Sequence, residues 1–296
     1  MNAVETERRT TYPVHYKTAI VAGQEIFYRE AGPESAPVIL LLHGFPTSSN
    51  MFRHLIPRLA GAFRVIAPDY PGFGQSSMPA RSEFDYTFEN LASLVNSFVE
   101  SLGLTKFSMY VMDYGAPIGY RLALRHPERV QALIIQNGNA YEEGLLKFWD
   151  PIKKYWSEPS GENRAALHFL VDLKATRWQY EEGVKDTSLL DPTAWVVDQA
   201  GLDRAGNREI QMDLFLSYGT NVPLYPQFQE FFRNYQPPAL IVWGRNDFIF
   251  PAEGAAPYSR DLKTLETHLL DTGHFALETH GEEIAAHMER FLAAHL

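Results

Sequence analysis

The sequence predicts a doubly wound, mostly parallel α/β sheet carrying one helical insertion. Continuous apolar runs such as Pro37-Val-Ile-Leu-Leu-Leu42 mark strands buried on both faces. These runs alternate with helix-patterned segments, which implies parallel pairing through right-handed crossovers. The alternation fails over residues 139–226, and that failure predicts the insertion.

Taken in order, Tyr16 to Val21 and Glu25 to Arg29 alternate like antiparallel strands. Val38 to Leu42 is the first buried strand, Ser48 to Leu59 reads as a helix, and Phe63 to Ala67 as the next strand. Phe88 to Leu102 is helical, followed by the strand-like Lys106-Phe-Ser-Met-Tyr-Val111. Gly115 to Arg125 then reads as a helix with Ile118 and Leu122 on one face. Val130 to Ile135, Ala239 to Trp243 and the shorter Thr267 to Leu270 complete the buried strands, and Gly281 to Leu296 is a closing amphipathic helix. Residues 1–138 and 227–296 thus form the core, with 139–226 as a helical lid. The lid holds Phe148, Trp149, Tyr155, Trp156, Trp178, Tyr180 and Trp195 among charged, helix-like patterns, and these aromatics are expected mainly to pack its interior.

Composition removes several classes of function. The 296 residues are 45% hydrophobic, enough for a sizeable core, and a net charge of -10 disfavours nucleic acid or an anionic membrane surface as partner. With no cysteine, neither a disulfide nor a thiolate metal site can form. Met1 to Pro13 is polar and charged, without the apolar run of a secretory leader. No segment approaches the roughly 20 apolar residues that span a bilayer. A cytoplasmic location is therefore expected. Neither a His-Glu-x-x-His helix nor a Gly-x4-Gly-Lys loop occurs, so no metal or nucleotide cofactor is implied.

Four local signals fall at the carboxyl ends of predicted strands, the edge where open α/β sheets bind ligands. His43-Gly-Phe-Pro46 follows the first buried strand, where the backbone N–H of Phe45 can meet a developing oxyanion, with that of Tyr114 as second donor. Asp113 occupies the strand-to-helix corner of Tyr110-Val-Met-Asp-Tyr-Gly-Ala-Pro-Ile-Gly119, a sharp turn that projects its side chain above the sheet. A carboxylate there can attack a saturated carbon bearing a leaving group and become an ester. Gly244-Arg-Asn-Asp247 and Asp271-Thr-Gly-His274 follow two later strands.

With these motifs, together with His-Gly-Phe-Pro-Thr-Ser-Ser49 and Ala67-Pro-Asp-Tyr-Pro-Gly-Phe-Gly-Gln-Ser76, the chain resembles α/β-hydrolase-fold enzymes of the epoxide hydrolase and haloalkane dehalogenase group, from about Tyr12 to Leu296. The resemblance implies Asp113 as nucleophile, His274 as general base and Asp247 as the acid that orients His274. Glu142 and Glu143 are rivals for the acid, because some relatives place it after the preceding core strand. Here that position reads Asn137-Gly-Asn139, without a carboxylate. Asp69 is taken as structural, as are the other nine histidines.

The resemblance also implies a lid-borne donor for the leaving group. Epoxide hydrolases present phenols of two tyrosines; haloalkane dehalogenases present ring N–H groups, typically a Trp after the nucleophile with a second Trp or Asn. Here Tyr114 and Phe45 stand at those two dehalogenase positions, and His-Gly-Phe-Pro is typical of epoxide hydrolases. Val111 and Asp85-Tyr-Thr-Phe-Glu89 look like dehalogenases instead. Tyr218 matches the second epoxide-polarising tyrosine, and Tyr155 or Tyr180 would supply the first. Epoxide hydrolysis to a vicinal diol is the expected activity, on a small apolar electrophile with water as co-substrate. Haloalkane dehalogenation is the alternative. A non-catalytic small-ligand sensor is the reading from another class, and the complete nucleophile, acid and histidine set argues against it. Oligomeric state is not legible.

Overall fold

The computed structural model describes residues 12–296; the polar N-terminal stretch, apart from Tyr12 and Pro13, lies outside them. Eight strands form one sheet: β1 His15–Val21, β2 Gln24–Ala31, β3 Val38–Leu42, β4 Arg64–Pro68, β5 Phe107–Met112, β6 Val130–Gln136, β7 Ala239–Gly244 and β8 Leu265–Leu270. Their spatial order is β1-β2-β4-β3-β5-β6-β7-β8. The first two neighbour pairs are antiparallel and all later ones parallel. The β1–β2 hairpin turns at Ala22 and Gly23, both with positive φ (49° and 78°), the backbone of a tight two-residue hairpin turn.

The central strands bury both faces, and successive residues divide between two cores. Leu40, Leu42, Met109, Val111, Leu133 and Ile135 belong to one core. It is covered by α2 (Phe88–Ser101), α3 (Gly115–Arg125) and α9 (Tyr225–Tyr235) through Phe98, Ile118 and Phe232. Ile39, Leu41, Tyr110, Met112 and Ile134 face the other, under α1 (Leu55–Leu59) and α10 (Ala276–His295), with Ile56, Met288 and Leu292. Thr87 caps α2 by accepting from the Asn90 N–H at 3.1 Å. The expected helix over Ser48 to Leu59 is split: Ser49–Phe52 form a 3-10 turn capped by the Ser48 hydroxyl, which accepts the Asn50 N–H at 3.2 Å, and α1 begins only at Leu55. The closing helix starts earlier than expected, at Ala276, with a kink at His280.

Between β6 and α9 the chain is helical throughout its regular structure. It contains α4 (Asp150–Ser157), α5 (Gly161–Ala165), α6 (Leu173–Glu181), α7 (Pro192–Leu202) and α8 (Asn207–Tyr218), joined by turns. Arg164 on α5 ties these helices together, reaching Glu209 at 2.6 Å and Asp213 at 2.9 Å on α8. Among the described residues no helix is long and apolar enough to cross a membrane.

The strand order places the site. The chain passes from β4 across β3 to β5, so connections leave β3 and β5 in opposite directions and open a crevice at their carboxyl ends. His43 to Pro46 and Asp113 sit at that crevice because Leu42 pairs with Val111.

Candidate active site

Asp113 joins β5 to α3 with φ at +50°, a left-handed backbone that a non-glycine residue adopts only where its surroundings enforce it. Two neighbouring glycines allow the corner. A Cβ on Gly115 would lie 2.1 Å from the Leu42 carbonyl oxygen, and one on Gly44 only 2.3 Å from the Asp113 Cβ. The corner is thereby pressed against the loop after β3. Asp113 is buried, and its Oδ1 accepts from the Phe45 N–H at 2.7 Å and the Tyr114 N–H at 2.5 Å. One carboxylate oxygen is thus pinned by two backbone donors.

The other oxygen, Oδ2, lies 3.8 Å from His274 Nε2. That separation is too long for a hydrogen bond. The far side of the imidazole is held closely: Nδ1 meets Asp247 Oδ2 at 2.7 Å, while Asp247 Oδ1 accepts the Ile249 N–H at 2.7 Å. Glu142 and Glu143 are exposed, and Glu143 pairs with Arg260 at 2.6 Å. Neither forms an ion pair with His274. Asp69 accepts the Ser49 and Gln75 N–H groups, and His43 is buried in stacking contact with Tyr70.

Two amides at the end of β6 support this group and were not singled out in the sequence. Asn137 Nδ2 donates to Asp247 Oδ2 at 2.8 Å and to the Gly244 carbonyl at 3.1 Å, while its Oδ1 accepts the Gly244 N–H at 2.9 Å. Gln136 Nε2 donates to the His274 carbonyl at 3.0 Å. Asn137 stands where the rival acid would be, and its amide donates to the acid of the neighbouring strand. Its position directly after a buried strand was the available signal.

Burial pushes the Asp113 carboxyl up to about 6, although His274 and the Phe45 and Tyr114 N–H groups pull it down. Burial opposes a charged His274, but the charge and hydrogen bond of Asp247, with a contribution from Asp113, prevail and raise its pKa.

A cavity of about 490 Å³ opens over Asp113. Its wall is mainly apolar, including Phe45, Phe148, Trp149, Trp178, Phe215 and Phe248. Three lid aromatics expected mainly to pack the lid interior, Phe148, Trp149 and Trp178, therefore face this space. Their indole N–H groups do not serve it: Trp149 donates to the Ile249 carbonyl at 2.8 Å and Trp178 to Glu182 at 3.1 Å. Trp156 and Trp243 are likewise engaged by the Phe215 and Phe250 carbonyls.

The lid tyrosines part company. Tyr155 points its hydroxyl to Arg164 Nη1 at 3.0 Å, drawn away from the cavity by the Arg164 cluster. Tyr180 stacks on Phe275 at 4.0 Å and donates to Asp198 at 2.5 Å, in the core on the opposite side of the sheet. Tyr155, Tyr180 and Tyr218 all lie behind the residues that line the cavity; the hydroxyls of Tyr155 and Tyr180 are in addition committed to Arg164 and Asp198, which removes these two as leaving-group donors. Tyr218 packs between Trp149 (ring centroids 4.6 Å) and Phe88 (5.3 Å), with Tyr114 at 6.0 Å. The Tyr114 hydroxyl and His274 Nε2 are buried without a hydrogen-bond partner among the described residues, and the buried Tyr218 hydroxyl has only the Tyr225 phenol beside it.

Elsewhere, Glu266, His268 and His287 bring possible ligand atoms within 4.8 Å of one another. Arg290 already supplies the positive charge there, bonding both Glu266 and His287.

A pinned carboxylate, an acid-held histidine and two backbone N–H donors above a parallel sheet are the equipment of a hydrolase. The chain belongs to the α/β hydrolase fold family, whose model matches residues 37–281. It is 45% identical over 274 residues to the "Uncharacterized hydrolase YNR064C" of Saccharomyces cerevisiae, spanning 91% of this chain and 94% of that one. A haloalkane dehalogenase of Mycobacterium marinum is 43% identical over 112 residues, covering 38% of this chain and 37% of its own length. In fold, the chain is similar to haloalkane dehalogenase DbeA from Bradyrhizobium elkani, with a TM-score of 0.77 at 23% identity over 95% of this chain and 100% of that one. It is also similar to epoxide hydrolase VrEH1 from Vigna radiata, with a TM-score of 0.74 at 19% identity over 95% and 98%.

Proposed function

We propose that this protein hydrolyses epoxides to vicinal diols through an ester formed on Asp113. The observation that carries the reading is the asymmetry of the Asp113 carboxylate: Oδ1 is pinned by Phe45 and Tyr114, while Oδ2 has the longer 3.8 Å approach to His274. Oδ2 attacks the less hindered epoxide carbon and the ring C–O bond breaks. The released oxygen takes a proton from a phenol. His274 then removes a proton from water, which adds to the Asp113 ester carbon, and the negative charge settles on Oδ1 between its two donors. Collapse releases the diol, and the proton held by His274 restores the phenol. Asp247, itself steadied by Asn137, holds the imidazole in the required orientation.

The choice of epoxide over halide is supported by the donors. A halide departs with neutral N–H partners, whereas an alkoxide needs a proton. The Trp149 and Trp178 indole N–H groups at the cavity wall are occupied, and the Gln179 amide is a remaining neutral N–H donor there. The buried Tyr114 hydroxyl has no hydrogen-bond partner among the described residues, that of Tyr218 meets only the Tyr225 phenol, and Asp113 bears electrostatically on both. Dehalogenation stands as the second reading on the local match to the Mycobacterium marinum enzyme.

The deciding assay pairs terminal epoxides with alkyl bromides of matched length, following diol and halide. Diol formation without bromide release supports the proposal, and bromide release alone overturns it. Tyr218→Phe is expected to slow ester formation by roughly 10²-fold or more while slowing ester hydrolysis far less. Rapid-quench measurement of the two steps checks this, and equal slowing of both would remove the role.

A further inference from the structure

Gln179 is only 4% exposed, lines the cavity over Asp113, and has no side-chain hydrogen bond to any other described residue. Its amide atoms are not sealed from solvent but open to the cavity, and their lack of a partner in so buried a residue calls for an explanation. Loose packing does not provide one. Thr176, three residues earlier on α6, bonds Gln199 at 2.8 Å, and Gln199 in turn bonds the Val171 carbonyl at 3.2 Å. Tyr180, the next residue, is fixed by Phe275 and Asp198. The helix holds Gln179 firmly with its amide facing an apolar space, the arrangement by which a binding pocket orients its ligand.

An amide N–H is too weak an acid to protonate a departing alkoxide, and the phenols of Tyr114 and Tyr218 are assigned to that oxygen. Gln179 therefore serves a second polar group. Resting on the epoxide reading above, we propose that Gln179 is a substrate-recognition residue whose Nε2–H donates to a carbonyl oxygen carried by the substrate apart from its electrophilic carbon. The substrate class is an apolar epoxide bearing one carbonyl group, seated with its hydrocarbon against Trp149, Trp178 and Phe248.

Binding of unreactive probes tests this without turnover. Octan-2-one is compared with 2-methyloct-1-ene, in which a methylene replaces the carbonyl oxygen, by quenching of the cavity tryptophans. The wild-type protein is expected to bind the ketone about tenfold more tightly, the scale of one neutral hydrogen bond. Gln179→Leu is expected to remove that preference, with Gln179→Met as substitute should the leucine variant not fold. Equal binding of the two probes by wild type, or a preference that persists in the folded variant, overturns the proposal. Failure of the epoxide reading would show separately, as absence of diol in the paired-substrate assay.

Discussion

Replacing His274 with glutamine is expected to halt the reaction halfway, leaving each protein molecule heavier by the mass of one epoxide. The first half-reaction needs only the Asp113 carboxylate and a proton for the departing oxygen, and the variant keeps both. The second needs a base for water, and glutamine is not one. General-base assistance is worth roughly 10²–10⁴-fold, so the ester should outlast a mass-spectrometric measurement. Peptide mapping should place the adduct on Asp113. Unimpaired turnover, or an adduct on another residue, would remove His274 from its role. The charges support the order of events. Asp113 helps to raise the His274 pKa while ionised. Ester formation abolishes that charge, so the imidazole becomes readier to stay neutral when a base is required.

Asp113→Asn is expected to lose activity on the order of 10⁴-fold or more, because the amide supplies no anionic nucleophile. Its effect on stability should run the other way. Burial raises the Asp113 pKa from an ordinary 3.8 to about 6, so the folded protein binds this proton more tightly than the unfolded chain does. The resulting stabilisation is complete below the unfolded value and is lost as pH rises through about 6. At pH 8 the buried charge therefore costs stability, roughly 3 kcal/mol as an upper bound at about 1.4 kcal/mol per pKa unit. Melting curves should show the asparagine variant gaining on wild type between pH 5 and pH 8. An advantage that shrinks over that interval would contradict the assignment. Wild-type ester formation should fall as pH drops through about 6, opposite in direction to the stability.

The sheet was legible because strands buried on both faces must be apolar at every position, whichever element later covers them. Asp113 and Asp247 were legible for a related reason, since each ends such a strand within a few residues; His274 follows β8, which was expected to be buried but is a largely exposed edge strand. The structure then brings them into one group across a sequence separation that no local pattern encodes. The lid tyrosines are different. Nothing around Tyr155 in the sequence announces that Arg164 claims its hydroxyl, or that Tyr180 turns under the sheet edge to meet Phe275. Those outcomes depend on how short helices pack against one another. Asn137 lies between these cases: its position was read as lacking an acid, and only the fold brings its amide to Asp247.

The unequal grip on the two Asp113 oxygens has an isotopic consequence. Oδ1, clasped by the Phe45 and Tyr114 N–H groups, remains with the protein, while the oxygen facing His274 leaves in the diol and is replaced from water. In water enriched in oxygen-18, the first diol from each molecule carries a light oxygen from the protein, and every later one carries a heavy oxygen. A carboxylate that never rotates gives up one light atom in its lifetime. One that rotates between cycles gives up two, so counting unlabelled diol per protein molecule measures how firmly two backbone donors hold a single oxygen.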